Sequence, residues 1–201
     1  MKNKLNEIRE LLIVVDMVNG FIREGALADC GLTQIVPEIV KMVVEYQKRG
    51  QGILFVKDEH TDRSAEFKNF PVHCLKGASE CELIEELKKY EKDNMSIVKN
   101  STSAIFAHGF LKLIDLMPNL KRVVGCGVEA DICVLNLFIP LKNYFDQNNR
   151  YVDVFVVEDA IDTFNTPCHP RDVYLNASKL LMRQSGIKLV KKYKFDREGD
   201  L

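Results

Sequence analysis

A thiol, a carboxylate and an amine stand at or just beyond the ends of three apolar runs: Cys133 in "GVEADICV" follows "RVVGCGV", Asp16 closes "LLIVVD", and Lys99 ends "SIVK". Together the three suffice for nucleophilic attack on a carbonyl. The thiol attacks, the carboxylate takes its proton and returns it to a leaving amine, and the ammonium keeps both acids in their reactive ionisation states. No histidine is needed as base. The pattern predicts that Cys133 opens a helix, whose free N–H groups and dipole lower the thiol's pKa and can hold an oxyanion. Singly, each residue has an ordinary reading: Asp16 as a turn cap, Lys99 as a solvated strand end, Cys133 as a small core residue.

A second group could hold a metal. Asp58 and His60 are two apart in an extended segment and so point the same way, and His73 can fold back from the polar stretch 59–82 as a third ligand, with Glu66 a candidate fourth. Imidazole and carboxylate ligands suit Zn²⁺, Fe²⁺ or Mn²⁺ and leave positions open for water or substrate. The competing reading is of surface or hydrogen-bonded histidines. His108 reads as a helix-surface residue, His169 in "TPCHPRD" as part of a turn before the last helix, and Asp159 and Asp162 in "VEDAIDTF" as caps.

The elements that must position these groups follow from periodicity. Apolar runs rich in Val and Ile at 11–16, 52–58, 96–100, 122–128, 152–159 and 187–192 read as strands buried on both faces. Amphipathic segments such as "IVPEIVKMVVEYQKRG", from Ile35 to Gly50, lie between them. Alternating βα units predict an α/β fold: a doubly wound, three-layer α/β/α arrangement on a six-stranded, mostly parallel sheet. In such a sheet the strand carboxyl ends share one edge, and ligands bind outside it where the strand order reverses. Asp16, Asp58, His60, Lys99 and the Glu129–Cys133 segment should therefore converge.

Composition sets the outer bounds. The 201 residues are expected to form one domain, spanning 1–201. With 28 basic against 29 acidic residues there is no basic face for nucleic acid, and charge points to a small-molecule substrate. The N-terminal segment lacks a secretory apolar core and no later run approaches the ~20 apolar residues a membrane span needs. A cytoplasmic location with no membrane partner is expected. Six cysteines without CxxC spacing read as reduced thiols.

From "LLIVVDMVNGF" through "VKDEH", "FPVHCLKG" and "IVKNSTSAIF" to "GVEADICV" and "VVEDA", the chain resembles the isochorismatase-like cysteine hydrolases, and among them the nicotinamidase/pyrazinamidase branch. The resemblance implies an Asp-Lys-Cys triad at Asp16, Lys99 and Cys133. It implies one divalent metal, Zn²⁺ foremost with Fe²⁺ or Mn²⁺ as alternatives, on Asp58, His60 and His73, with Glu66 added in some members. It further implies aromatic rings beside the substrate at Phe21 and Phe70, a cis peptide at Val128–Glu129, and an oxyanion hole from the backbone N–H groups of Glu129 and Cys133, with Glu129 near the substrate. Ala130 stands where the family usually has Thr, and Val18 and Gly20 where it usually has Gln and Asp.

The expected activity is hydrolysis of nicotinamide to nicotinate and ammonia through a cysteine thioester, as in NAD salvage. Two alternatives stay open: the same triad acting on another small amide of ureido or maleamate type, and a thiol redox sensor on the same fold. The vinyl-ether chemistry of true isochorismatases uses no cysteine nucleophile. A homo-oligomer is open as well.

Overall fold

The computed structural model describes residues 5–195. Six strands form one sheet: β1 (Glu10–Val15), β2 (Gly52–Asp58), β3 (Met95–Lys99), β4 (Arg122–Gly127), β5 (Asp153–Ile161) and β6 (Lys188–Val190). Their order is β3-β2-β1-β4-β5-β6, and every pairing is parallel, so the expected mostly parallel sheet is parallel throughout. The order reverses between β1 and β4. Asp16 follows β1 directly, and Cys133 lies in the turn after β4.

Alternation along β1 shows why the fold has three layers. Leu11, Ile13 and Val15 enter one core with Phe110, Leu137, Phe138 and Leu141, while Leu12 and Val14 enter a second with Ile39, Met42, Val43 and Tyr46. Successive strand side chains point to opposite faces, so an unbroken apolar run must be covered twice. Helices α2 (Val36–Lys48) and α3 (Glu85–Glu91), with the single turn α1 (Asn19–Ile22), contribute to one core. Helices α4 (Phe110–Asp115), α5 (Leu135–Gln147) and α6 (Arg171–Gln184) contribute to the other. Each fully buried Leu, Ile, Val or Phe contributes about 1.5–3 kcal/mol.

Two sequence expectations shift. Strand β5 runs to Ile161, so Asp159 lies inside it instead of capping a turn. Asp162, just past it, accepts from the Thr163 N–H and the Gln34 side chain, which makes it a loop brace, not a helix cap. His108 is exposed in the turn before α4, two residues ahead of the helix and not on its surface. Among the described residues no helix is long and apolar enough to cross a membrane.

Candidate active site

The register of the sheet brings the polar strand ends together. Asp58 and Lys99 are direct partners across β2 and β3, and Val15 pairs with Gly127 across β1 and β4. Gly127 permits that last approach: with φ at +114°, a Cβ there would stand 2.0 Å from the Val15 carbonyl oxygen. Asp16 itself adopts φ 50°, in the left-handed region that Asp tolerates better than most residues.

Lys99 is the hub. Its ammonium lies 2.9 Å from Asp16 Oδ2, 2.9 Å from Asp58 Oδ1 and 3.5 Å from Cys133 Sγ. Asp16, Lys99 and Cys133 are 0%, 2% and 5% exposed. Both Asp16 oxygens are buried, and the carboxylate faces the Cys133 thiol as well as the Lys99 ammonium, where it can take a proton. Burial, opposed by Lys99 and reinforced by Asp58, pushes the Asp16 carboxyl up to about 6. Burial opposes the Lys99 charge, yet Asp16, Cys133 and Asp58 hold its pKa well above the ordinary lysine value.

The expected lowering of the Cys133 pKa is corrected. Burial raises it well above the ordinary thiol value, Lys99 pulls it down, and Asp16 and Asp58 push it up again. Cys133 sits in a π-turn (Ala130–Val134) before α5, and burial together with the two carboxylates sets the direction of its shift. A raised thiol pKa beside a buried carboxylate makes Asp16 the group placed to take the Cys133 proton.

The loop after β2 folds back through backbone bonds from the His60 N–H to the Cys74 carbonyl and from the Lys76 N–H to the His60 carbonyl, each 2.8 Å. That return brings His73 beside Asp58 and His60. Asp58 Oδ2 is 3.0 Å from His60 Nε2 and 3.2 Å from His73 Nε2, and the two Nε2 atoms are 3.2 Å apart. His73 Nδ1 lies 2.7 Å from the Pro71 carbonyl and His60 Nδ1 lies 2.9 Å from Asn100 Oδ1. Nδ1 of each ring faces an oxygen acceptor, which turns Nε2 of each ring toward the Asp58 carboxylate as a candidate ligand atom. Three buried acceptors facing one another fit a bound cation. Donors about 2.1 Å from a tetrahedral metal stand about 3.4 Å apart, close to the observed spacing.

Glu66 is not in this three-residue cluster; it lines the cavity, with Oε2 buried and unpartnered. Sequence reasoning missed the groups that orient the cluster. Asn100 and Ser64 turn His60, Pro71 turns His73, and Phe67 packs edge-on against both rings. Asn100, adjacent to Lys99, and Pro71, two before His73, stand within the motifs themselves.

A cavity of about 550 Å³ opens over Cys133, Asp58 and His73, with Phe21 and Phe70 in its wall. Phe164, Asp29, Asn165 and Arg171 line it too, none of them expected from sequence. Arg171 is held by Asp29 at 2.8 Å and by the Thr163 carbonyl at 2.7 Å. Val128–Glu129 is a cis peptide.

The family model described as the Isochorismatase domain matches residues 10–176. The chain belongs to the isochorismatase family. It is 28% identical over 191 residues, 88% of this chain and 89% of the relative, to a protein of Arabidopsis thaliana named "Probable inactive nicotinamidase At3g16190". The structure of N-carbamoylsarcosine amidase from Thermoplasma acidophilum superposes with a TM-score of 0.74 at 26% identity, covering 96% of this chain and all of that one. The pyrazinamidase of Pyrococcus horikoshii in complex with zinc superposes with a TM-score of 0.75 at 24% identity, covering 92% of this chain and 99% of that one. The named relatives thus include a nicotinamidase, an N-carbamoylsarcosine amidase and a pyrazinamidase.

The three departures from the usual family residues have structural settings. Ala130 is buried and donates its N–H to the Asp162 carbonyl, and Val18 bridges to Leu83. Gly20 packs against the metal-side loop so closely that a Cβ would lie 2.6 Å from Cys74 Sγ.

Glu129 is buried, accepts the Phe164 N–H at 2.8 Å, and has its carboxyl raised to about 8 by burial, against the opposing hydrogen bonds of Phe164 and Thr163. A Gln is the same shape and can keep that bond. Glu129→Gln is accordingly expected to lower kcat/KM by no more than about tenfold, the scale of one ordinary hydrogen bond. A loss matching that of Asp16→Asn would assign the acid role to Glu129 instead.

Proposed function

We propose that this isochorismatase-family protein is a metal-dependent amidohydrolase that converts nicotinamide to nicotinate and ammonia. The observation that carries the reading is the Lys99 ammonium shared among Asp16, Asp58 and Cys133, which joins a nucleophile–base pair to a two-histidine, one-carboxylate donor set. The likeness to a zinc-containing pyrazinamidase supports the same reading. The Arabidopsis relative is named "Probable inactive"; in this chain Asp16, Lys99 and Cys133 meet.

Asp16 takes the Cys133 proton as sulfur attacks the carboxamide carbon, and that proton leaves with the amine as ammonia. Asp16 then deprotonates a water that attacks the thioester, releasing nicotinate and restoring the thiol. The Ala130, Ile132 and Val134 N–H groups are engaged elsewhere, which fits the Glu129 and Cys133 amides as donors to the oxyanion. Phe21 and Phe70 would flank the ring. Asp58, His60 and His73 would hold a divalent cation, zinc foremost, whose Lewis acidity suits a pyridine nitrogen or water.

Because Asp16 must be ionised to accept the thiol proton, kcat/KM is expected to rise with pH through a limb near about 6. A flat profile from pH 5 to 8 would remove Asp16 as base. The deciding assay is ammonia release from nicotinamide, pyrazinamide, an N-carbamoyl amino acid and maleamate, before and after chelation and metal restoration. Nicotinamide should be the preferred substrate, with activity lost to the chelator and recovered with metal. Preference for the carbamoyl acid, untouched by chelation, would favour the ureido reading, which has Arg171 in the cavity wall and the carbamoylsarcosine amidase likeness on its side.

A further inference from the structure

His169 reads from sequence as a turn residue, and it does sit in the turn before α6, yet its ring is unusually constrained. It stacks between Phe164, with centroids 3.8 Å apart and planes at 14°, and Tyr174, at 3.7 Å and 19°. Its Nε2 lies 2.8 Å from Asp131 Oδ2, and its Nδ1 lies 3.1 Å from the Phe164 carbonyl. The pair is largely shielded, at 12% side-chain exposure for each partner.

The two ends of this contact matter. Asp131 lies in the π-turn, two residues before Cys133, and its other oxygen accepts the Thr163 hydroxyl. Phe164 lines the cavity beside Cys133. The loop after β5 also touches the nucleophile turn through Asp162, Thr163 and Phe164, all near the strand end. His169 adds a tie from the far limb of that loop, next to α6, and its stacked ring backs the Phe164 wall.

We propose that His169 is a positioning residue for the reaction at Cys133, its Asp131 bond fixing the nucleophile turn against the Phe164 wall of the cavity. Small displacements of a nucleophile are costly, so losing the tie should lower kcat about 10- to 100-fold with little change in KM.

Side-chain isosteres make the test specific. The Gln amide nitrogen can occupy the place of imidazole Nε2 and keep the Asp131 bond, whereas the Asn nitrogen occupies the place of Nδ1 and reaches only the Phe164 carbonyl. In steady-state kinetics on nicotinamide, corrected for folded protein by circular dichroism, His169→Gln should stay within about threefold of wild type. His169→Asn and His169→Ala should show the full loss. Equal activities for Gln and Asn, or an Ala variant within twofold of wild type, would overturn the proposal. If Ala fails to fold, the Gln–Asn contrast still decides.

The inference rests on Cys133 as nucleophile, so a second readout is independent of substrate: the rate at which iodoacetamide alkylates Cys133, followed peptide by peptide. The same order, wild type and Gln faster than Asn and Ala, should appear even if nicotinamide is not the substrate. Indistinguishable alkylation rates alongside normal turnover would count against His169 and leave the proposed activity standing.

Discussion

Replacing Cys133 with alanine is expected to bring ammonia release from nicotinamide to background, a loss of about 10⁴-fold or more. The sulfur lines the cavity over Asp58 and His73, and no other thiol joins the Lys99 cluster among the described residues. Cys30 is at the cavity mouth but exposed, and Cys74 and Cys126 are buried with pKa values raised far above the thiol range by burial. Alanine removes the attacking atom and leaves Asp16, Lys99 and the donor set in place. Metal content and melting temperature should therefore change little. A robust rate in the variant would eliminate the thioester route and leave direct attack by water as the mechanism.

Lys99→Met is expected to be nearly as damaging to activity and far more so to stability. Methionine approximates the volume of the lysine stem but removes the charge that faces two buried carboxylates, Asp16 and Asp58. Stripping one partner from a buried ionic cluster costs about 3–5 kcal/mol. At about 2–4 °C per kcal/mol for a chain of this size, the melting temperature should fall by roughly 6–20 °C. The sign of the pH effect is fixed as well. Lys99 lowers the Asp16 pKa, so its loss raises that pKa further and moves the acidic limb of any residual activity to higher pH. An unshifted limb and an unchanged melting temperature would show that Lys99 does not carry the charge balance assigned to it.

The thiol illustrates what residue types leave undecided. Cys133 follows a strand and precedes a helix, which suggests an acidified thiol, but its environment is dominated by burial and by carboxylates from β1 and β2. Their distance depends on strand order, a long-range property. Arg171 is similar: its place in the cavity wall, and its neutralisation by Asp29 more than a hundred residues earlier, are set by how α6 docks.

Six strands, their boundaries to within two residues, and the convergence of Asp16, Asp58, Lys99 and Cys133 are written in the chain itself, because apolar runs of strand length must be buried on both faces and a parallel sheet puts their polar ends on one edge. The triad and the Asp-x-His pair were legible for that reason. Folding alone settled the rest: the backbone bonds by which the 59–82 loop returns, the carbonyl of Pro71 that orients the His73 ring, and the stacking of His169 between Phe164 and Tyr174. Those contacts join segments with no shared periodicity, so only packing could choose them. The segment "GVEADICV" carries both kinds of information: its cysteine announces the nucleophile, while the roles of Glu129 and Asp131 come from Phe164, Thr163 and His169 across a loop the motif does not contain.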